Sequence, residues 1–381
     1  MKLKKKLLIP LIIMIIIIIV FISLIINFKT ENYIILIVTK HQSDTASLNP
    51  TRLEVASEMA LNKLNETSKK HNKITHKYIF YTGNEMEGYK KVEEFLKSNS
   101  NVIALLGDFN SAGTSLLASL ALKYEIPHIS LFAIDETIFH DNPWSFSYRS
   151  TLAQEHETMM GIINDLNSKN VAFISCDLSN ILSRSEEFRK VLKAENKTIF
   201  YDKIFSREEK NFKEQIEFLI KEQDNYDSII LFLASNQIEH FLQQAYIYNI
   251  QKPIIISVIS MSFEGVKELQ GIELEMHSFV PLAFLKLSED DEEFLSLANY
   301  YRIAIGYHRF DSLGPWIYDA MILLHELILS NKTPEELRNS LQNYNDMRII
   351  GPVSFNQNGI LEESTFKKVK IIDGSFYEVT K

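Results

Sequence analysis

The apolar positions divide the chain into two unlike parts. Leu7 to Ile26 is an almost unbroken run of Leu, Ile, Met, Val and Phe, interrupted at Pro10 and Ser23. About twenty helical residues reach the thickness of a bilayer's hydrocarbon core, and a helix that is apolar all round has no place on a water-facing surface. Residues 1–30 are therefore predicted to form a membrane-spanning segment. From Asn32 onward, short β-branched runs alternate with helix-period stripes. Strands are predicted at Tyr33–Val38, Tyr78–Tyr81, Val102–Leu106 and Ile126–Leu131. Between them lie helices striped by Leu53, Ala56, Ala60 and Leu64, by Tyr89, Val92, Phe95 and Leu96, and a helix over Ser111–Lys123. Thr51 and Glu54 have capping-box spacing. The rhythm then repeats, with strands at Val171–Ser175, Thr198–Ile204, Ser228–Leu233 and Ile254–Val258. Helices there are marked by Met159, Ile162 and Ile163, by Phe188, Val191 and Leu192, by Phe212, Ile216 and Leu219, and by Ile238, Phe241 and Leu242. Continuous apolar strands between amphipathic helices predict an α/β fold with parallel sheets covered on both faces. Near the end, Pro334 after Thr333 marks a helix start, and strands are predicted at Arg348–Phe355 and Phe366–Ile372.

Charge sharpens this division. The chain of 381 residues carries a net charge of −9. Residues 1–30 hold five lysines and no acid, so the rest has 35 basic and 49 acidic side chains, a net of −14. Lys2, Lys4, Lys5 and Lys6 ahead of the apolar run place the N-terminus in the cytoplasm and the remainder outside it. The apolar core is long for a cleaved signal, and Ile25–Phe28 offers no small-residue cleavage site, so an uncleaved signal-anchor is expected. With six residues ahead of the run, no cytoplasmic output domain is expected. The acidic body argues against a nucleic-acid partner. The single Cys excludes an internal disulfide and Cys-rich zinc sites. Three hundred and fifty residues exceed one comfortable core, which points to two units.

Four stretches carry a resemblance to a known family. Val102–Ser111 (VIALLGDFNS) continues through Tyr124–Ser130 (YEIPHIS). Asn142–Arg149 (NPWSFSYR) follows, then Leu313–Ala320 (LGPWIYDA) and Gly351–Gly359 (GPVSFNQNG). In this order and separation they resemble the type I periplasmic binding proteins, in particular the leucine/isoleucine/valine-binding branch, whose module also forms receptor ligand-binding regions. The resemblance covers residues 32–381. It implies two Rossmann-like lobes around a ligand cleft, with crossings near Arg149–Leu152, Val280–Phe284 and Gln342–Asp346. Lobe 1 is then expected to comprise 31–150 plus 282–343, and lobe 2 to comprise 151–281 plus 344–381.

The sharpest local feature is Gly107–Thr114, which follows a strand and opens a helix. Free N–H groups and the positive dipole end favour an anion there. By the resemblance, Ser111 is expected to hold a ligand carboxylate, with Thr114 second. As an alternative, Ser111 is simply the helix N-cap. Phe132 and Ala133 follow the fourth strand, where the family lines its cleft. Gln154 falls where the family places an acid or polar group at the start of the second lobe. Asp177, Ser235, Asn236 and Ser260 follow strands of the second half, at the carboxyl ends where parallel sheets bind ligands. Two departures weaken an amino-acid reading: Ile134 stands near a frequent family Thr, and Gln154 cannot neutralise an ammonium.

Catalytic patterns are lacking. Gly107 lies four residues before Ser111, so no G-x-S-x-G elbow forms. His325-Glu326 has no second His four residues on, and there is no phosphate loop. Cys176 reads as a buried small hydrophobe. No enzyme activity, cofactor or metal is expected. The expected protein is a membrane-anchored, extracytoplasmic solute-binding protein that captures a small polar ligand by hinge closure for an ABC-type permease. A sensory module signalling to a separate membrane partner is the alternative, and an exported enzyme a more distant one.

Overall fold

The computed structural model describes residues 32–40, 50–67, 73–108, 110–257, 263–282 and 313–379, with isolated positions at 285, 295, 298 and 299. The predicted membrane segment at 1–30 lies outside the described residues. Among the described residues, no helix is long and apolar enough to cross a membrane.

The first half builds a five-stranded, all-parallel sheet. Its strands are β1 (Asn32–Lys40), β2 (Lys73–Tyr81), β3 (Val102–Leu106), β4 (His128–Ser130) and β5 (Ser145–Ser147), in spatial order β2-β1-β3-β4-β5. The helices between them are α1 (Pro50–Thr67), α2 (Glu85–Ser98) and α3 (Ser111–Tyr124). β1 and β3 are buried along nearly their whole length, as strands covered by helices on both faces must be. The second half enters through α4 (Leu152–Asp165). It continues as β6 (Asn170–Cys176), α5 (Ser179–Ala194), β7 (Thr198–Phe205), α6 (Lys213–Lys221), β8 (Ser228–Phe232), α7 (Ser235–Ile247), β9 (Ile254–Ile256), α8 (Phe263–Lys267) and β10 (Met276–Pro281). After α9 (Leu313–Ser330) and α10 (Pro334–Gln342) come β11 (Asn345–Arg348), β12 (Gly351–Ser354), β13 (Phe366–Ile372) and β14 (Ser375–Glu378). The second sheet runs β14-β13-β10-β9-β8-β6-β7.

The second sheet is not wholly parallel, contrary to expectation. β13 pairs antiparallel with β10, and β14 with β13. The turn between β13 and β14 is Asp373-Gly374, both at positive φ, the two-residue hairpin chemistry that joins antiparallel neighbours. The stretch predicted as one strand, Arg348–Phe355, is instead the closing half of a hairpin: β11 and β12 pair antiparallel, with Arg348 opposite Gly351. α1 begins at Pro50, so Thr51, expected at the cap position, falls within the helix. α10 starts at Pro334 as expected, and a capping box closes its first turn. The Thr333 hydroxyl accepts from Glu336 N at 3.2 Å, and the Glu336 carboxylate accepts from Thr333 N at 3.1 Å.

The last hundred residues return to both sheets. α9 packs on α1 of the first half. Phe355 packs against Phe146 with ring centroids 5.2 Å apart, and Ser147 bridges to Ile360. Residues 355–360 thus lie along the β5 edge of the first sheet, and the chain joins the second sheet only from Phe366.

Candidate functional site

The strand orders locate the crevices. In the first sheet β1 is followed by β2 on one side and β3 on the other. In the second, β6 lies between β7 and β8 in the same way. Helices leaving such a pair in opposite directions open a crevice at the carboxyl ends of the two strands. The first crevice is therefore bordered by Lys40 and Gly107-Asp108, the second by Cys176-Asp177 and Leu233-Ala234.

The first edge is filled and tied down. Gly107 has φ +130°, and a Cβ there would lie 2.1 Å from the Val38 carbonyl oxygen, so only glycine lets β3 end so close to β1. Asp108 is buried. Its carboxylate accepts from the Tyr81 hydroxyl and, at 3.4 Å, from Lys40 N. Burial, reinforced by the Asp108 charge, raises the Tyr81 pKa. Gly113 packs so tightly on Asp108 that a Cβ would come within 2.2 Å of Oδ2. His128 is fully buried, its ring bonded to the Gly107 carbonyl and, at 3.2 Å, to Ser145 Oγ.

The predicted residues of this edge divide accordingly. Ser111 is the first residue of α3 and half-buried, but it is not the cap: Asn110 is, its side chain accepting from Gly113 N at 2.8 Å. Thr114 is fully buried and donates to the Asp108 carbonyl at 3.3 Å. Ala133 is buried, while Phe132 is half-buried and its carbonyl accepts from Arg149 Nη1 at 3.5 Å.

The second edge is more open. Asp177 is exposed and accepts from Arg207 N at 2.8 Å. Ser235, first residue of α7, is half-buried, and Asn236 is exposed. Neither α5 nor α7 has a side-chain cap, Leu178 and Ala234 standing at the cap positions. Their opening N–H groups therefore lack the side-chain acceptors that Asn84, Asn110 and Thr151 give α2, α3 and α4. Ser260 lies outside the described residues. Gln154 is occupied in structure: it accepts from Thr151 N at 3.0 Å and donates to the Leu361 carbonyl at 2.7 Å.

One charged cluster joins the halves and a second lies within the first, and sequence reasoning assigned neither. At the first crossing Glu155 accepts from Arg149 Nη2 at 2.6 Å and from Arg184 Nη1. The three side chains are 15%, 4% and 13% exposed for Arg149, Glu155 and Arg184. Beside β5, Asp319 on α9 accepts from the Tyr148 hydroxyl at 2.9 Å and Arg348 Nε at 3.1 Å. Burial raises the Asp319 pKa against the opposing pull of Arg348. Arg348 also reaches Glu326 at 2.6 Å. A signal was available for part of this. Asp319 interrupts a long apolar helix, and a charge there needs a partner. The pairing of Arg149 with Glu155 and Arg184 depends on packing between elements and has no local signature.

Cys176 is free and buried, and burial raises its thiol pKa. His325 is buried and meets His76 with Nε2 atoms 2.8 Å apart; desolvation lowers both, to about 3 and about 4. Among the described residues, no group of three or more His, Cys, Asp or Glu is placed to hold a metal.

Comparison with known proteins agrees with this architecture. The model of the "receptor family ligand binding region" matches residues 52–266. Among solved structures, a branched-chain amino acid substrate-binding protein from Streptococcus pneumoniae in complex with isoleucine is similar, with a TM-score of 0.67 and 16% identity over 93% of this chain and 100% of the other. An ABC transporter substrate-binding protein from Desulfitobacterium hafniense complexed with Leu gives 0.66 and 17%, over 92% and 100%. A solute-binding protein of an ABC transporter from Rhodopseudomonas palustris, with 3,4-dihydroxybenzoic acid, gives 0.66 and 16%, over 92% and 96%. Among curated protein sequences none matches.

Proposed function

The chain belongs to the receptor-family ligand binding regions, on the type I periplasmic binding protein fold, and from that premise we propose that it is a membrane-anchored, extracytoplasmic solute-binding protein serving an ABC-type importer. Lobe 1 is 31–150 plus 282–361, its C-terminal limit moved past the crossing expected at Gln342–Asp346 because Phe355 and Ile360 meet the β5 edge of the first sheet; lobe 2 is 151–281 plus 362–381, and residues 1–30 are the anchor. The observation that carries this reading is the pair of separate sheets, each with its own crevice, joined at a buried charged crossing. A small polar ligand enters between the carboxyl edges. The lobes close on it as a hinge motion, and no covalent step is involved. Ser111, Thr114, Phe132, Ala133 and Gln154 on one side, and Asp177, Ser235, Asn236 and Ser260 on the other, form or support the lining. Thr114, Ala133 and Gln154 act through backbone position.

The test is a thermal-shift screen of the full chain in detergent against amino acids, amides and small carboxylates. A ligand at a hundredfold its Kd adds about 2.7 kcal/mol to the native state. A screen in which no class raises the melting temperature removes the reading. Coexpression with a candidate permease separates importer from sensor. Ligand-dependent association with the permease supports the importer, and association with a kinase or cyclase instead supports the sensor.

A further inference from the structure

The two charged regions beside the crevices are opposite in sign. At the end of β3 stands the buried carboxylate of Asp108, held by Tyr81 and Lys40 N and packed on Gly113 at the opening turn of α3. A ligand carboxylate placed there would face a like charge in a poorly solvated site. At the first crossing two guanidinium groups share one carboxylate, a group of net charge +1, with all three side chains mostly buried. A buried excess charge is costly unless a counter-ion meets it. Burial brings the Arg149 pKa down to about 10, Glu155 opposing and Arg184 adding to the depression. Arg184 spends Nη1 on Glu155, and its Nε and Nη2 make no hydrogen bond among the described residues. His156 carries no negative charge to offset the excess, and burial lowers its pKa, which disfavours a third positive charge there.

Position agrees with charge. Arg149 follows β5 and bonds the Phe132 carbonyl after β4, so it stands on the same carboxyl edge as Asp108, two strands away. Two strand spacings are about 10 Å, the length of a small organic acid. Arg184 reaches in from α5, which leaves the carboxyl edge of the second sheet without a side-chain cap.

We infer that the cleft takes a carboxylate-bearing small molecule and holds its anionic group at the first crossing, on the guanidinium groups of Arg184 and Arg149, instead of at the start of α3. The inference rests on the solute-binding reading above and adds the ligand's charge class and its orientation. Because Arg149 belongs to lobe 1 and Glu155 and Arg184 to lobe 2, an anion bound there bridges the hinge and favours closure.

The test is calorimetric titration of the full chain in detergent with leucine, benzoate, 3,4-dihydroxybenzoate and succinate, and with leucinamide and benzamide as neutralised counterparts. At least one carboxylate is expected to bind about tenfold or more tighter than its amide. Arg184→Gln is expected to weaken that carboxylate by about tenfold or more, and Arg184→Lys by less. The wild-type contrast between acid and amide needs no variant, so it stands even if Arg184→Gln fails to fold. An amide that binds as tightly as its acid overturns the inference while leaving the solute-binding reading intact. So does a folded Arg184→Gln protein with carboxylate affinity unchanged, which would make the cluster a hinge strut only. Absence of binding by every probe overturns the inference and counts against the solute-binding reading as well.

Discussion

The two carboxyl edges come from the same strand arrangement yet are finished differently. The edge of the first sheet is crowded: Gly107 lies against Val38, Gly113 against Asp108, and His128 against the Gly107 carbonyl. The edge of the second sheet is open, with Asp177 and Asn236 exposed and α5 and α7 starting without side-chain caps. The comparison teaches that topology places a crevice but side chains decide which wall is scaffold and which is free to meet a ligand. The largest expected effect follows from the crowded wall. Gly107→Ala drives a Cβ into the Val38 carbonyl at a φ that L-residues avoid, and is expected to cost more than about 4 kcal/mol or prevent folding. Asn236→Ala on the open wall is expected to cost less than about 0.5 kcal/mol. Denaturant unfolding of the two variants measures the contrast, and similar losses would break it.

The crossing between the walls comes next. Glu155→Ala leaves Arg149 and Arg184 facing each other without their shared carboxylate, and is expected to cost about 3 kcal/mol. Glu155→Gln keeps the shape and part of the hydrogen bonding, and is expected to lose less. If both variants unfold at the wild-type midpoint, the cluster does not hold the crossing.

Much of this molecule was legible in its sequence, and the limits are instructive. The buried central strand Val102–Leu106 matches residue for residue, because a continuous apolar run between turn signals has few other fates, and Phe366–Ile372 also matches, its buried Phe366, Val369 and Ile371 set among lysines. The hairpin at Asn345–Ser354 was missed because its first strand, with exposed Asn345, Asp346 and Met347, has no apolar pattern to read. At the candidate site, several side chains bond otherwise than the sequence suggests. Ser111 looked like a cap, yet Asn110 one residue earlier takes Gly113 N. Gln154 looked available, yet its amide is spent on Thr151 and Leu361. Such partners lie up to two hundred residues away and are chosen by packing, which leaves no periodicity behind.

Acid should separate the two halves. His76 and His128 belong to the first half and His325 meets His76 from α9, and desolvation lowers the three to about 4, about 4 and about 3. The unfolded chain, with histidine near 6.5, binds more protons than the folded one across that interval. The stability these groups confer is therefore present in full above about pH 6.5 and is lost as the pH falls toward 4. Each tenfold change in proton affinity is worth about 1.4 kcal/mol. In the second half, among the described residues, His156 and His277 are lowered in the same direction. Hydrogen exchange at pH 7 and pH 5 should show protection in β3 and β4 falling before that in β6 and β8. Equal loss in both sheets would mean that the first half holds no special store of neutral histidine.

The smallest effect tests the assignment of roles at α3. Asn110 is the cap, so Asn110→Ala is expected to cost about 1 kcal/mol of stability. Ser111 is half-buried and caps nothing, so Ser111→Ala is expected to change stability by less than about 0.5 kcal/mol. With the ligand's anion held at Arg184, loss of the Ser111 hydroxyl removes at most one neutral hydrogen bond, a change of about threefold in affinity for the carboxylate that binds best. A loss of tenfold or more in the Ser111→Ala protein, together with an undisturbed melting temperature, would put the anion back at the start of α3. Asp108 would then have to give up its charge when ligand binds. That outcome would show in the titration as proton uptake, seen as a dependence of the measured heat on the ionisation enthalpy of the buffer.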